Sequence, residues 1–225
     1  MHKERIKGLK SIKNFKKNIK QTYIFFHGLE TKIIALKTFL TILNAKNNPN
    51  YKKFEQFLEF KKKHIAYLYE VGFIALFANF ESFMLDLLKD LFRKYPHSFK
   101  CEKLARFDEI EDFKNIKEVK EYFIDSLAIE KSYGGIESWT DCLGQKFRIK
   151  VFKTKKQFKL LRMLNELRNV FLHAGGKTTS KFRNKMKTFI KSEVPLNQKI
   201  TLDRKKYFEV LYHILFSLAI NIENN

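Results

Sequence analysis

Cysteine is scarce in this sequence, and its scarcity argues against two classes of protein. The 225 residues contain two cysteines, Cys101 and Cys142, which stand 41 positions apart with no second thiol near either. This spacing fits neither a disulfide framework nor a zinc site, and isolated thiols are typical of a reducing compartment. An HExxH segment, a Gly-x-Ser-x-Gly segment and an acidic metal cluster are also missing. We therefore expect a protein with no metal and no cofactor.

Proline and glycine are rare as well, with 3 and 8 residues. An all-β fold needs many turns, so this scarcity argues against one and favours long helices. Hydrophobic residues make up 44% of the chain, with 24 phenylalanines, which is enough for a substantial core. We expect an all-α fold. Residues 1–50 would form a basic N-terminal extension and a first helix, and residues 51–225 a helical domain with an insertion around 97–150.

Acidic residues are outnumbered, with 24 Asp and Glu against 45 Lys and Arg, and the formal charge is +21. Nucleic acid is the partner that this charge favours, because phosphate neutralisation provides much of the binding free energy. The alternative is that an A+T-rich genome enriches Lys, Asn, Ile and Phe. No apolar run reaches about 18 residues, since polar side chains interrupt the segment from Val71 to Phe92. No signal peptide is visible, so we expect a cytoplasmic protein that does not enter a membrane.

Apolar residues recur at helical spacing along most of the chain. The expected helices run over about 18–46, 52–95 (with a bend or break near Lys61 or Gly72), 102–107, 116–129, 136–147, from Lys155 onwards, and from an N-cap at Asp203 to Ile222. Trp139 is expected in the core. Residues 1–20 form either a basic amphipathic helix or, as we favour, a solvated extension.

The stretch from Glu166 to Gly176, reading ELRNVFLHAGG, is the strongest candidate for chemistry. At about 100° per residue its helix has a polar face and an opposite apolar stripe. The polar face carries Arg162, Glu166, Asn169 and His173, and the apolar stripe Leu160, Leu164, Leu167 and Phe171. A histidine in the last turn can also simply favour the negative end of the helix dipole.

Arg168-Asn169-Val170-Phe171-Leu172-His173 resembles the Arg-x4–6-His signature of HEPN domains, and the small residues after it are similar too. An apolar helix with FANFESFMLDLL precedes the motif and a final helix follows it, so the resemblance spans roughly residues 60 to 222 and implies a HEPN-like helical bundle with additional helices. It further implies a metal-independent endoribonuclease that acts as a homodimer and leaves 2′,3′-cyclic phosphate ends. Many such proteins are toxins or phage-defence effectors, with an antitoxin or defence-system partner. One alternative is a non-catalytic HEPN-like module that binds RNA or protein. The other is a helical DNA-binding protein, although the sequence has no helix-turn-helix signature.

The resemblance makes Arg168, Asn169 and His173 the catalytic candidates. The imidazole would move a proton, the guanidinium would hold the phosphate, and Asn169 would orient His173. Arg168 and His173 lie about 140° apart on an ideal helix. They would converge if the last turn unwinds, or if Arg168 of one subunit serves His173 of the other.

Two further groups support this candidate site. Glu166 lies on the polar face, and Glu81, among apolar neighbours, either pairs with Arg168 or another base or sits at the edge of the core. The segment after the motif runs from Gly175 to Lys187, and its Gly176-Lys177-Thr178 is like the end of a P-loop. The segment follows a helix and lacks the first glycine of a P-loop, so it does not predict nucleoside triphosphate binding. Its cations are expected to contact RNA phosphates: Lys177, Lys181, Arg183 and Lys185. The apolar side chains of Leu161, Val170 and Leu172 beside the polar face suggest a dimer contact.

Overall fold

The computed structural model describes residues 6, 8–42, 51–98, 105–190, 193–200 and 204–225. Eight α-helices cover most of these ranges, and the expected all-α fold is confirmed. They are α1 (Lys10–Ile42), α2 (Tyr51–Lys94), α3 (Phe107–Ile110), α4 (Ile116–Tyr133), α5 (Gly135–Phe147), α6 (Lys155–Ala174), α7 (Ser180–Met186) and α8 (Val210–Glu223). Within the described ranges the only β-pairing is an isolated bridge between Lys177 and Lys199.

The chain divides into two compact units. The first comprises the described parts of Met1–Lys16, Asn79–Lys155 and Ser217–Asn225, and the second those of Lys17–Ala78 and Lys156–Phe216. In the first unit, Phe80 meets the edge of Trp139 with ring centroids 5.6 Å apart, and Trp139 is 4% exposed. The expected core position of Trp139 is confirmed.

The N-terminal part of α1 differs from the solvated extension that we favoured. Lys10–Lys20 is helical and continuous with the rest of α1, and Ile12, Phe15 and Ile19 are buried. Phe15 stacks on Phe83 at 4.1 Å in the first unit. The prediction of a solvated extension is therefore wrong for Lys10–Lys20, because its apolar side chains have partners. Residues 1–5 and 7 lie outside the described part.

Helix α2 runs unbroken for 44 residues, so the break predicted as one alternative near Lys61 or Gly72 does not occur, and the other alternative, a bend, stays a prediction. Gly72 serves close packing in the second unit instead. A Cβ there would lie 2.9 Å from Cε2 of Phe208 and 3.0 Å from Cγ of Phe26. The glycine lets two aromatic rings approach the helix backbone. By length and composition, Ile65–Lys94 could cross a membrane, and half of its apolar window is buried in the fold, a property it shares with core helices of soluble proteins.

The remaining boundaries follow the sequence pattern with shifts. Helix α5 is confirmed, and α4 extends four residues beyond the expected end to Tyr133. The short helix predicted at 102–107 lies partly outside the described residues, and the structure has a helix at Phe107–Ile110. Asp203 also lies outside them, and the final helical segment includes a π-helical stretch, Arg204–Glu209, before α8. Helix α7 was not predicted.

Candidate functional site

The candidate motif lies on α6 in the second unit, with its core face rotated slightly from the predicted one. Leu164, Leu167 and Phe171 are buried as expected, but Leu161 is buried where Leu160 was expected. Val170 is also buried. On the polar face, Arg162, Glu166 and Asn169 are half-buried and His173 is exposed. The helix therefore presents a polar face that ends in an exposed imidazole.

Two glycines end α6 directly after this face. Gly175 and Gly176 have φ values of 55° and 79°, in the left-handed region that favours glycine. The backbone N–H of Gly176 donates to the carbonyl of Val170 at 3.2 Å, and that of Lys177 to Ala174 at 3.0 Å. The helix persists through Ala174, so the last turn does not unwind around His173. Arg168 and His173 therefore keep the roughly 140° separation of a regular helix.

A cleft of about 490 Å³ lies between α6 and α7, within the second unit. Glu166, Asn169 and His173 line it from α6, and Lys181 and Lys185 line it from α7. Five of the predicted site residues thus share one cleft. Inside it, Nζ of Lys185 lies 2.6 Å from Oε1 of Glu166, in an ion pair between the two helices.

Arg168 is directed elsewhere. Its guanidinium lies 5.9 Å from the centre of the Phe77 ring, and its Nη1 donates to Oδ1 of Asn169 at 3.0 Å. The amide oxygen that was expected to orient His173 thus accepts a hydrogen bond from Arg168. Arg168 does not line the cleft. Within one chain, the structure brings Asn169 and His173 to the cleft and leaves Arg168 beside Phe77.

The basic run forms helix α7 rather than a loop. Thr179 caps the helix, accepting from the backbone N–H of Phe182 at 3.2 Å, and Phe182 and Met186 are buried. Lys177, Lys181 and Lys185 are exposed. Arg183 is half-buried, with Nη1 3.8 Å from Oε1 of Glu193. The sequence does carry a signal for this helix. Thr179 is a favourable N-cap residue, and the apolar Phe182 and Met186 follow it four positions apart.

Hydrogen bonds of Thr178 connect the segment after α6 with the connector 193–200. It is 2% exposed, and its hydroxyl donates to the carbonyl of Pro195 at 2.6 Å and accepts from the N–H of Gln198 at 3.0 Å. Its backbone N–H donates to the carbonyl of Gln198 at 2.9 Å. The adjoining bridge holds exposed Lys199 opposite Lys177. Sequence reasoning missed Lys199 because long-range pairing of two loops leaves no local pattern.

Two other carboxylates lie outside the cleft. Glu81 is half-buried in the first unit, whereas the motif belongs to the second, so its pairing with Arg168 stays a prediction. In the second unit, burial raises the pKa of Glu70, and the nearby Lys199 partly opposes this rise. Among the described residues no group of three or more His, Cys, Asp or Glu side chains could hold a metal ion.

The apolar surface suggested for a dimer is smaller than expected. Leu161 is fully buried and Val170 is 5% exposed, because both pack into the core of their own chain. Leu172 remains, with 46% of its surface exposed. The prediction that Leu161 and Val170 contribute to a dimer surface is therefore wrong.

Similarity to known proteins does not add to this picture. No family model, no curated protein and no solved structure matches the chain significantly.

Proposed function

We propose that this protein is a metal-independent endoribonuclease of HEPN type that cleaves RNA to 2′,3′-cyclic phosphate ends. The observation that carries this proposal is the cleft at the end of α6, where His173 and Asn169 of the motif face Lys181 and Lys185 of α7. The combination suits phosphodiester chemistry, because it offers a group that transfers protons next to cations that attract phosphate. A role as a toxin or phage-defence effector in the cytoplasm belongs to the same proposal.

Each motif residue has a role in this reaction. The imidazole of His173 takes the proton from the ribose 2′-OH, which attacks the adjacent phosphorus, or returns a proton to the leaving 5′-oxygen. A guanidinium from Arg168 stabilises the extra negative charge of the pentacovalent phosphate. Asn169 lies one helical turn before His173, and its side-chain NH2 group can orient the imidazole while its oxygen accepts from Arg168. Exposure of His173 leaves it accessible to a large substrate.

The charge around the cleft supports RNA as the partner. Lys177, Lys181 and Lys185 are exposed, and α7 contains no acidic residue. Exposed Lys199 adds a further cation opposite Lys177. Lysines spread along a surface bind the sugar-phosphate backbone without reading the bases. We therefore expect cleavage with little dependence on sequence outside the nucleotides at the cleft.

The active unit in this proposal is a homodimer. Arg168 and His173 diverge on α6, so one chain does not direct both side chains at one phosphate. A two-fold contact that pairs two α6 helices would let Arg168 of one chain approach His173 of the other. The exposed side chain of Leu172, between the two on the helix surface, would become buried in such a contact.

The first test measures RNA cleavage directly. Purified wild type and His173→Ala are incubated with total RNA in EDTA, and the ends are analysed for 2′,3′-cyclic phosphates. Wild type should cleave, and His173→Ala should lose at least 100-fold, the scale of a lost proton-transfer group. His213→Ala is the matched control, because His213 is an exposed helical histidine away from the cleft. Loss of wild-type cleavage in EDTA would contradict a metal-independent reaction.

The second test addresses the dimer. His173→Ala and Arg168→Ala are mixed after each is shown to be inactive and folded by circular dichroism. If a site takes its arginine and histidine from different chains, the mixed dimer has one intact site and cleavage returns. No recovery, although sedimentation shows that mixed dimers form, would mean that each site draws both residues from one chain. A monomer that still cleaves would refute the dimer.

A non-catalytic HEPN-like module that binds RNA or protein is the second candidate. The observation that favours it is the position of Arg168, which packs on Phe77 and donates to Asn169 instead of lining the cleft. Such a module would bind RNA through the same lysines without cleaving it. In that case His173→Ala would leave RNA affinity unchanged and wild type would yield no cyclic phosphate.

A further inference from the structure

A second cavity lies next to the cleft, against the apolar face of α7. It is a half-open pocket of about 310 Å³, bounded by α6, α7, the connector 193–200 and Tyr207 of the π-helical stretch, all within the second unit. Leu167 and Met163 contribute from α6, Phe182 and Met186 from α7, and Val194 from the connector. Two of these side chains are methionines, whose flexible thioethers adapt to occupants of different shape.

The chemistry of the lining defines what would occupy this cavity. No charged side chain is among the described residues that line it. The hydroxyl of Thr178, one of its few polar groups, already donates to Pro195 and accepts from Gln198. A charged ligand would lose its hydration without gaining a partner. Most of the lining is apolar, so water in the pocket has few polar partners and is readily displaced.

The volume sets the size of the occupant. An apolar cavity of about 150 Å³ stays dry and binds benzene. The present cavity is about twice as large, which corresponds to roughly two fused rings or a compact branched hydrocarbon of similar bulk. It also falls at the lower end of the range of small-molecule sites, about 300–1,000 Å³. A ligand that binds here in the folded state alone would stabilise the surrounding helices by mass action.

We propose that this cavity binds a small, uncharged, apolar molecule, and that its occupancy fixes α7 beside the cleft. The link between the two is Phe182, a buried side chain that lines both the cavity and the cleft. Helix α7 has only seven residues, and Phe182 and Met186 are its buried side chains. Contacts made by a ligand with these two residues restrain the helix that carries Lys181 and Lys185. The proposal does not require that the protein cleave RNA.

The test uses the full chain and 1-aminonaphthalene, an uncharged two-ring probe whose emission shifts to shorter wavelength in apolar surroundings. Binding should saturate at one probe per chain. Naphthalene should displace the probe, whereas naphthalene-2-carboxylate, of similar shape but charged, should not. Val194→Phe fills the cavity and should weaken binding at least 10-fold. Leu196→Phe is the matched control, because Leu196 is exposed on the same connector and does not line the cavity.

Hydrogen exchange measures the second half of the proposal. Saturation with naphthalene should slow amide exchange in α7 by at least 10-fold, while α4, in the other unit, keeps its rate. The assignment of the ligand class would be overturned if probe emission did not saturate, or if naphthalene-2-carboxylate displaced the probe as well as naphthalene does. Both measurements use the wild-type protein. A folded Val194→Phe protein that binds as wild type would overturn the location. Unchanged exchange in α7 at saturation would overturn the restraint of α7.

Discussion

The two glycines after His173 are not equivalent, and substituting each with alanine separates two physical effects. Both have φ in the left-handed region, at 55° for Gly175 and 79° for Gly176. A Cβ at Gly175 would meet nothing within 4 Å. A Cβ at Gly176 would lie 3.1 Å from Cε1 and 3.2 Å from Cδ1 of Phe171. We therefore expect Gly176→Ala to destabilise the protein more than Gly175→Ala.

Two free-energy terms are common to both variants, and a third applies to Gly176→Ala alone. An L-residue in the left-handed region costs about 1–2 kcal/mol, and reduced freedom of the unfolded chain offsets about 0.4–1 kcal/mol. Gly175→Ala should thus lower the free energy of unfolding by about 0–1.5 kcal/mol. At position 176 the alanine also crowds Phe171, which is 8% exposed and packs edge-on against Phe73. Overpacking adds about 1–3 kcal/mol. That addition is the expected difference between the variants.

Urea unfolding followed by circular dichroism measures this difference, and thermal unfolding checks it. For a protein of this size about 1 kcal/mol corresponds to roughly 2–4 °C in Tm, so Gly176→Ala should melt about 2–12 °C below Gly175→Ala. Gly175→Asn is a useful third variant, because asparagine tolerates the left-handed region better than alanine. Equal losses for the two alanine variants would refute the role assigned to Phe171 and leave backbone conformation as the whole effect.

Two further predictions concern charge and burial. A Gln variant of the cations Lys177, Lys181, Arg183 and Lys185 should bind RNA more weakly, and the slope of log K against log salt should become shallower by about 0.7 for each phosphate that it no longer neutralises. The control variant replaces four exposed lysines of the first unit, Lys114, Lys117, Lys120 and Lys150. An equally shallow slope for both variants would mean that only total charge matters. Burial raises the pKa of the Cys142 thiol, and Lys146 and Lys131 partly oppose the rise. In a Cys101→Ser background the thiol should therefore react with a disulfide reagent at pH 8 more slowly than a free cysteine. Because the folded thiol keeps its proton at a pH where the unfolded thiol loses it, stability should fall as pH rises above about 8.5; a stability that rises there would contradict the burial.

The sequence predicted much of the helical framework because that information is local. Helix α5 and the start of α6 follow from apolar spacing, and both match the structure. The helix break allowed at Gly72 is absent for a non-local reason. A glycine within a helix indicates either flexibility or close packing, and only the positions of Phe26 and Phe208 decide between them. Those rings lie 46 residues before and 136 residues after it in the chain.

The candidate site was predictable to a similar degree. Residues on the polar face of α6 were identified from periodicity, and Asn169 and His173 do share a cleft. The charge of the segment indicated that Lys181 and Lys185 belong to the site, but it did not indicate which residues they contact. That Lys185 contacts Glu166, and that Lys199 lies opposite Lys177, depends on how the chain folds back between residues 174 and 200. Tertiary pairing of this kind has no sequence period.

The Glu166–Lys185 ion pair does not prevent Lys185 from binding phosphate. Lys185 is 44% exposed at its side chain and Glu166 18%, so solvent screens the pair, and exposed pairs contribute roughly 0.2–1 kcal/mol. A phosphate that enters the cleft offers Lys185 a charge-assisted hydrogen bond of comparable or greater strength, and the released carboxylate can be hydrated. The pair therefore holds α7 against α6 in the absence of RNA and gives way at low cost when RNA binds. If that exchange occurs, Lys185→Met should weaken RNA binding, whereas Glu166→Gln, which frees the same lysine beforehand, should strengthen it.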